Sequence, residues 1–212
     1  MLILGIVLVG LILFIPAGSL GYWQAWLFMF SLFTPVIFIT IYFLKHDKGL
    51  LERRMKLKEK ETKQKIIVKI ASLLFLISFI FPGLDYRYSW SDVPIFLVII
   101  SNIMVFLGYF LIFLVFKENS YTSRVIEVAK KQKIITTGPY SIVRHPMYLG
   151  LSIIFFFIST ALGSFYGMIF FIPIIITLIF RIFNEEKFLL KNLKGYKEYV
   201  KKVKYRLIPY IW

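Results

Sequence analysis

The sequence predicts an all-α integral membrane protein with about five to six transmembrane helices, a helical hairpin late in the chain and an amphipathic cytoplasmic helix in its tail. Three observations predict it. Of the 212 residues, 59% are hydrophobic and 19% aromatic, well above the roughly 45–50% apolar share of an ordinary soluble domain. The apolar residues gather in six runs separated by polar segments. The basic residues are segregated as well: nine fall in 45–65, one is Lys69, six fall in 117–146 and nine in 181–212, so that 25 of 26 share one side of a six-segment layout and Arg87 alone lies opposite. By the positive-inside rule that side is the cytoplasm, with both termini on it.

The first run, about residues 2 to 20, has no basic segment before it and reads as a retained helix rather than a cleaved signal. The second, about 22 to 44, follows after a short turn and makes a hairpin with it. Residues 45 to 65 are charged throughout, with Arg53, Arg54, Lys56, Lys58 and Lys60 among Glu52, Glu59 and Glu61. They read as a solvated loop or a surface helix among headgroups. The third run, about 66 to 83, closes at Pro82-Gly83, and the fourth is about 93 to 116. Tyr86, Tyr88 and Trp90 between them are residue types that collect at the membrane interface.

Two shorter runs, about 147 to 162 and 168 to 180, are split by Gly163-Ser164-Phe165-Tyr166-Gly167 and read as a re-entrant or crossing hairpin whose second arm continues past Arg181 into the cytoplasm. Without an internal repeat or a soluble domain, the core is one helical bundle, with Gly108, Gly150 and Gly163 expected at close helix contacts. The division of labour is expected to be 1–116 for membrane helices and 117–212 for the site.

Composition excludes several chemistries. There is no cysteine and there are two histidines, His46 and His145, far apart, so thiolate nucleophiles, disulfides and a metal site are not expected. A net charge of +15 in so apolar a chain fits anionic lipid headgroups as partners rather than nucleic acid.

The stretch richest in chemistry is GPYSIVRHPMYLG, Gly138 to Gly150. Gly138-Pro139 marks a turn and Pro146 suits the first turn of a helix, so Tyr140, Arg144, His145 and Tyr148 gather at a helix mouth. Unpaired backbone N–H groups there suit the anionic parts of a cofactor, for which Arg144 is a second candidate. Plainer roles are open too: interface anchoring for the tyrosines, helix capping for His145 and a headgroup phosphate for Arg144. Past residue 180, helical spacing puts Arg181, Glu185, Phe188, Asn192, Tyr196, Tyr199 and Val203 on one face, with Lys187, Lys191, Lys194, Lys197 and Lys201 on another. Arg181 and Glu185 form either an ordinary helix ion pair or part of a site, and ionisable groups at membrane depth favour the site.

Five blocks carry a resemblance: NSYTSRVIEV (119–128), TTGPYSIVRHPMYLG (136–150), RIFNEEKFLL (181–190), YKEY (196–199) and RLIPYIW (206–212). In order and spacing they resemble the isoprenylcysteine carboxyl methyltransferase family and its prokaryotic relatives, which border on the phospholipid methyltransferases. The resemblance covers roughly residues 117 to 212. Membrane sterol reductases carry a related Arg-His-Pro pattern, typically with Asn before the tyrosine and an acid after the glycine, where this chain has Met147 and Leu151. The resemblance implies an S-adenosylmethionine site capped by the tail and entered from the cytoplasm, with a lipidic or prenylated acceptor arriving from the bilayer. It implies that Tyr140, Val143, His145, Tyr148 and Leu149 line the cofactor pocket and that Arg181 and Glu185 sit beside the methyl acceptor.

A carboxylate acceptor needs a cation to position it, which suits Arg181. An amine must first lose a proton, which suits Glu185 and a phospholipid N-methyltransferase. The other readings are an NADPH-dependent sterol or lipid reductase and a non-catalytic scaffold or transporter component. Against the last, no charge lies in the middle of the first, second or fourth apolar run.

Overall fold

The computed structural model describes residues 2–55, 62–129 and 132–212. The expected Lys56, Lys58, Lys60, Glu59 and Glu61 lie outside them. Helices α1 (Leu2–Ala17), α2 (Trp23–His46), α3 (Lys48–Met55), α4 (Thr62–Tyr88) and α5 (Ile95–Glu118) make the first half. A single-turn 3-10 helix at Gly138–Ser141 leads to α6 (Pro146–Ala161), and a second at Tyr166–Phe170 leads to α7 (Phe171–Asn192), followed by the short α8 (Tyr196–Lys202). Among the described residues, four segments are long and apolar enough to cross a membrane: Trp23–His46, Val68–Tyr88, Ile95–Glu118 and Tyr166–Asn192. The apolar helices α1 and α6 are shorter, at 16 residues each, which at ~1.5 Å per residue falls short of the ~30 Å hydrocarbon layer.

Helices α5 and α6 approach each other closely, and two glycines make the contact. A Cβ on Gly108 would stand 2.9 Å from the Gly150 carbonyl oxygen, and one on Gly150 would stand 2.9 Å from that of Gly108. The backbones touch there, and Ile112 and Ile154 close over them. Gly163 instead ends α6 in a turn beneath Gln24. The core runs from Leu13 and Phe28 through Val105 and Val115 to Ile154 and Ile158, while one side of most helices keeps Leu, Ile and Phe exposed, as a lipid-facing bundle requires.

The two ends of the bundle differ. At the end bearing Arg87, the buried Asp85 accepts from Ser91 N and Oγ, both at 2.7 Å, and from Ser164 Oγ, while Tyr22 donates to Leu162 O at 2.5 Å. A buried carboxylate with every bond made fastens the tip of α4 to the turn after α6. The opposite end carries α3, the loop after α5, the 3-10 turn at Gly138 and the tail.

Two expectations change here. The tail is not one continuous helix: α7 stops at Asn192, and Gly195, at φ +87°, redirects the chain into α8, so the face projected from Arg181 to Val203 is split between the two helices. A left-handed residue breaks the helical phase, and glycine adopts it without a side-chain penalty. The segment after residue 45 is also more than a solvated surface: α3 buries Leu50 fully and reaches across to the loop after α5.

Candidate functional site

The polar turn before α6 is held in place by the tail. Backbone N–H groups of Arg144 and His145 donate to the carbonyls of Tyr205 and Arg206, each at 2.9 Å. These donors, expected to face a ligand at the helix mouth, are therefore spent on the strap formed by residues 203–212. The His145 ring does not cap α6 either. Its Nε2 lies 3.4 Å from Glu186 Oε1.

Glu186 is the hub of this corner, and the sequence reading did not single it out. Its side chain is 8% exposed; Oε1 takes Arg144 Nε at 2.6 Å and Oε2 takes Arg206 Nε at 2.8 Å. Arg144 Nη1 also donates to Val203 O and Lys204 O, both at 2.8 Å. Arg206 is stacked over Phe183 and Trp212, 5.2 and 5.6 Å from their ring centres. A buried ion pair with its remaining donors satisfied is a brace, because breaking it leaves a charge uncompensated. Arg144 borders the cavity described next, but its Nε and Nη1 are committed to this brace. The available signal for Glu186 was its place beside Glu185: consecutive helix positions point about 100° apart, so only one of the two acids can share the Arg181 face.

Glu185 points the other way. Tyr148 Oη donates to Glu185 Oε2 at 2.5 Å and accepts from Arg181 Nε at 2.9 Å, and Arg181 Nη2 reaches Arg124 O at 2.6 Å. Arg181, Glu185 and Tyr148 are thus brought together, with the tyrosine hydroxyl as the link between the two charged groups.

Two cavities meet at this triad. The first lies between the loop after α5, the start of α6, α7 and α8. Tyr140, Arg144, His145, Tyr148, Arg181 and Glu185 border it. Val143 and Leu149 do not: Val143 is buried behind the turn, and Leu149 packs with Leu178, Ile182 and Leu207 on the other side of α6. Tyr196, Tyr199 and Thr122 complete the walls. The Tyr196 hydroxyl and Thr122 Oγ1 are buried without a hydrogen-bond partner among the described residues, which leaves two polar groups for a bound molecule to satisfy. Asn119 Nδ2 donates to Tyr140 Oη at 3.0 Å, and Tyr199 Oη donates to Tyr140 O at 2.8 Å. Burial raises the affinity of the Tyr140, Tyr196 and Tyr199 hydroxyls for their protons, so all three are neutral donors near pH 7.

The second cavity lies between α4, α6 and α7, with Phe75, Leu151, Phe155, Ile174 and Leu178 in its walls. It is apolar, and its polar end carries Arg54, Arg124 and Arg181. Met147, Tyr148 and Arg181 border both cavities. No group of three or more potential metal ligands occurs among the described residues.

No curated protein matches the chain. Residues 96–195, just under half of the chain, match the family model described as PEMT, phospholipid methyltransferase, so that α5 through α7, with the turn at Gly138 and both cavities' shared residues, form the part similar to a membrane methyltransferase.

Proposed function

We propose that the protein is an S-adenosylmethionine-dependent membrane methyltransferase acting on an amphiphilic acceptor, and that the acceptor atom is a carboxylate oxygen, as in isoprenylcysteine-like substrates. The observation that carries this reading is the junction at Met147, Tyr148 and Arg181, shared by a polar cavity and an apolar one. A soluble donor and a lipidic acceptor need separate compartments that meet at one point, and this junction supplies it. The match to the phospholipid methyltransferase family, which includes the isoprenylcysteine carboxyl methyltransferases, supports the same chemistry.

The residues of the polar cavity fit the donor. Aromatic faces of Tyr140, Tyr148 and Tyr199 suit a sulfonium cation, and the unpartnered Tyr196 and Thr122 hydroxyls suit its ribose or amino-acid end. When bound, S-adenosylmethionine supplies an electrophilic methyl group; a carboxylate oxygen forms the new C–O bond as the C–S bond breaks and its electron pair stays on the departing thioether. The chain's own task is to orient and dehydrate. Arg181 holds the acceptor oxygen in line, Tyr148 fixes the Arg181 guanidinium through its Nε bond, and Glu185 fixes Tyr148. An oxyanion acceptor has no proton to lose, so this set needs no general base. With the charge split of the sequence, the polar cavity faces the cytoplasm of a multi-pass cell-membrane protein.

Calorimetry on the detergent-purified protein tests the donor. S-Adenosylhomocysteine should bind and NADPH should not, with binding weakened in Tyr148→Ala and Tyr140→Ala. Binding of NADPH without S-adenosylhomocysteine would overturn this reading in favour of a reductase.

A further inference from the structure

The junction is also reached from a part of the chain that lies outside the family match. Arg53 Nη2 donates to Ser120 O, Arg54 Nη1 donates to Ser123 O at 2.8 Å, and the Arg124 amide meets Arg53 O at 3.5 Å. These bonds stitch α3 to the loop after α5, and Arg181 Nη2 stitches the same loop to α7 through Arg124 O. The consequence is that three guanidinium groups, from Arg54, Arg124 and Arg181, stand at the polar end of the apolar cavity.

Their charges act on one another. Burial disfavours the charged form of Arg54; Arg181 and Arg124 disfavour it further, while Tyr148 and Glu185 act in the opposite direction. Arg54 is partly compensated by the Phe116 ring, 5.1 Å from its guanidinium carbon. The described carboxylates around this junction are Glu185, engaged by Tyr148, and Glu127, which accepts from Ser123 Oγ at 3.1 Å. Three guanidinium groups at the polar end of an apolar chamber make a seat for the anionic end of an amphiphile. Planar guanidinium forks pair bidentately with a carboxylate or a phosphate, and of the two the carboxylate is the methyl acceptor of the reading above.

We infer that Arg54 and Arg124 act with Arg181 as the charge-selecting end of the acceptor site, so that the apolar cavity seats an amphiphile whose end group is a carboxylate and rejects one ending in an ammonium. This rests on the acceptor reading above and adds to it two specificity residues, one of them supplied by α3. Leu50, buried at the base of α3, and the two arginine-to-carbonyl bonds to the loop set their position.

The test uses the full chain in detergent and three fluorescent probes of equal length: 11-(dansylamino)undecanoic acid, its methyl ester, and the corresponding amine. The parent should bind the acid at least about tenfold more tightly than the ester, and the amine most weakly. Arg54→Gln with Arg124→Gln should erase that preference while ester affinity stays within about twofold; Arg54→Lys should keep part of it. Equal binding of acid and ester by the parent overturns the inference whatever the variants do, as does tighter binding of the amine. A preference that survives the double substitution overturns it too. Loss of S-adenosylhomocysteine binding in the parent, with the acid preference intact, would instead remove the methyl-donor reading and leave this site standing.

Discussion

Glu185 and Glu186 are neighbours on α7, and the structure requires opposite phenotypes of them. Glu186 is 8% exposed and meets Arg144, itself 3% exposed, at 2.6 Å. Removing one partner of such a buried pair costs about 3–5 kcal/mol, because the other charge is left in a low-dielectric site. The Arg206 arm is a third exposed and adds little. For a chain of this size each kcal/mol shifts the melting temperature by roughly 2–4 °C, so Glu186→Ala should melt about 6–20 °C below the parent. Glu185→Gln keeps an acceptor for the Tyr148 hydroxyl and should melt within about 2 °C of the parent. It should nonetheless lose on the order of 10² in methyl transfer, because a small misplacement of Tyr148 and Arg181 disturbs the aligned acceptor. A tryptophan-fluorescence melt in detergent and a radiolabelled methyl-transfer assay on the same preparations read both effects. If Glu186→Ala melts within 2 °C of the parent, or if Glu185→Gln melts as low as Glu186→Ala, the division into brace and junction is wrong.

Further expectations follow from single contacts. Tyr196→Phe should leave the melting temperature unchanged, since its hydroxyl has no partner among the described residues, yet weaken S-adenosylhomocysteine binding by up to about tenfold in calorimetry, the worth of one hydrogen bond. Gly150→Val drives its side chain into the Gly108 carbonyl, 2.9 Å from the Cβ position, and should cost about 1–3 kcal/mol in a denaturant or thermal melt. For topology, single cysteines at Asp92 and Lys197 are both exposed, and an impermeant maleimide applied to intact cells should label position 92 alone. Ser91 would be a poor label site, since its hydroxyl and amide are tied to Asp85 and Phe165, and Lys131 lies outside the described residues.

Much of this was legible in the sequence because it rests on local chemistry. Apolar runs located the helices, and the Gly108–Gly150 contact was foreseeable because a bare backbone in an apolar helix invites close approach. The cluster Tyr140, Arg144, His145 and Tyr148 was legible from Pro146 opening a helix. What sequence could not reveal were contacts between distant segments. The roles of Arg144 and His145 depended on a glutamate some forty positions away and on carbonyls of Val203 and Lys204. Gly195 was visible as a residue, but its left-handed conformation depends on α8 packing Tyr196, Tyr199 and Val203 against Ile134 and Leu189. Val143 and Leu149 lie one residue from residues that border the cavity: Leu149 is turned away by the pitch of α6, and Val143, in the link before it, is buried.

The distribution of charge around the two cavities explains why the tail folds back at all. Arg144 and His145 must be held at the opening of α6 with their backbone donors paired, and α6 itself has no residue to do this. The strap supplies the Tyr205 and Arg206 carbonyls, and Arg206 adds a second cation to Glu186 from the outside. Once Glu186 is saturated in this way, no demand is left for Glu185, which is available to Tyr148 across the next turn. A single helix therefore carries both the brace and the junction, one residue apart.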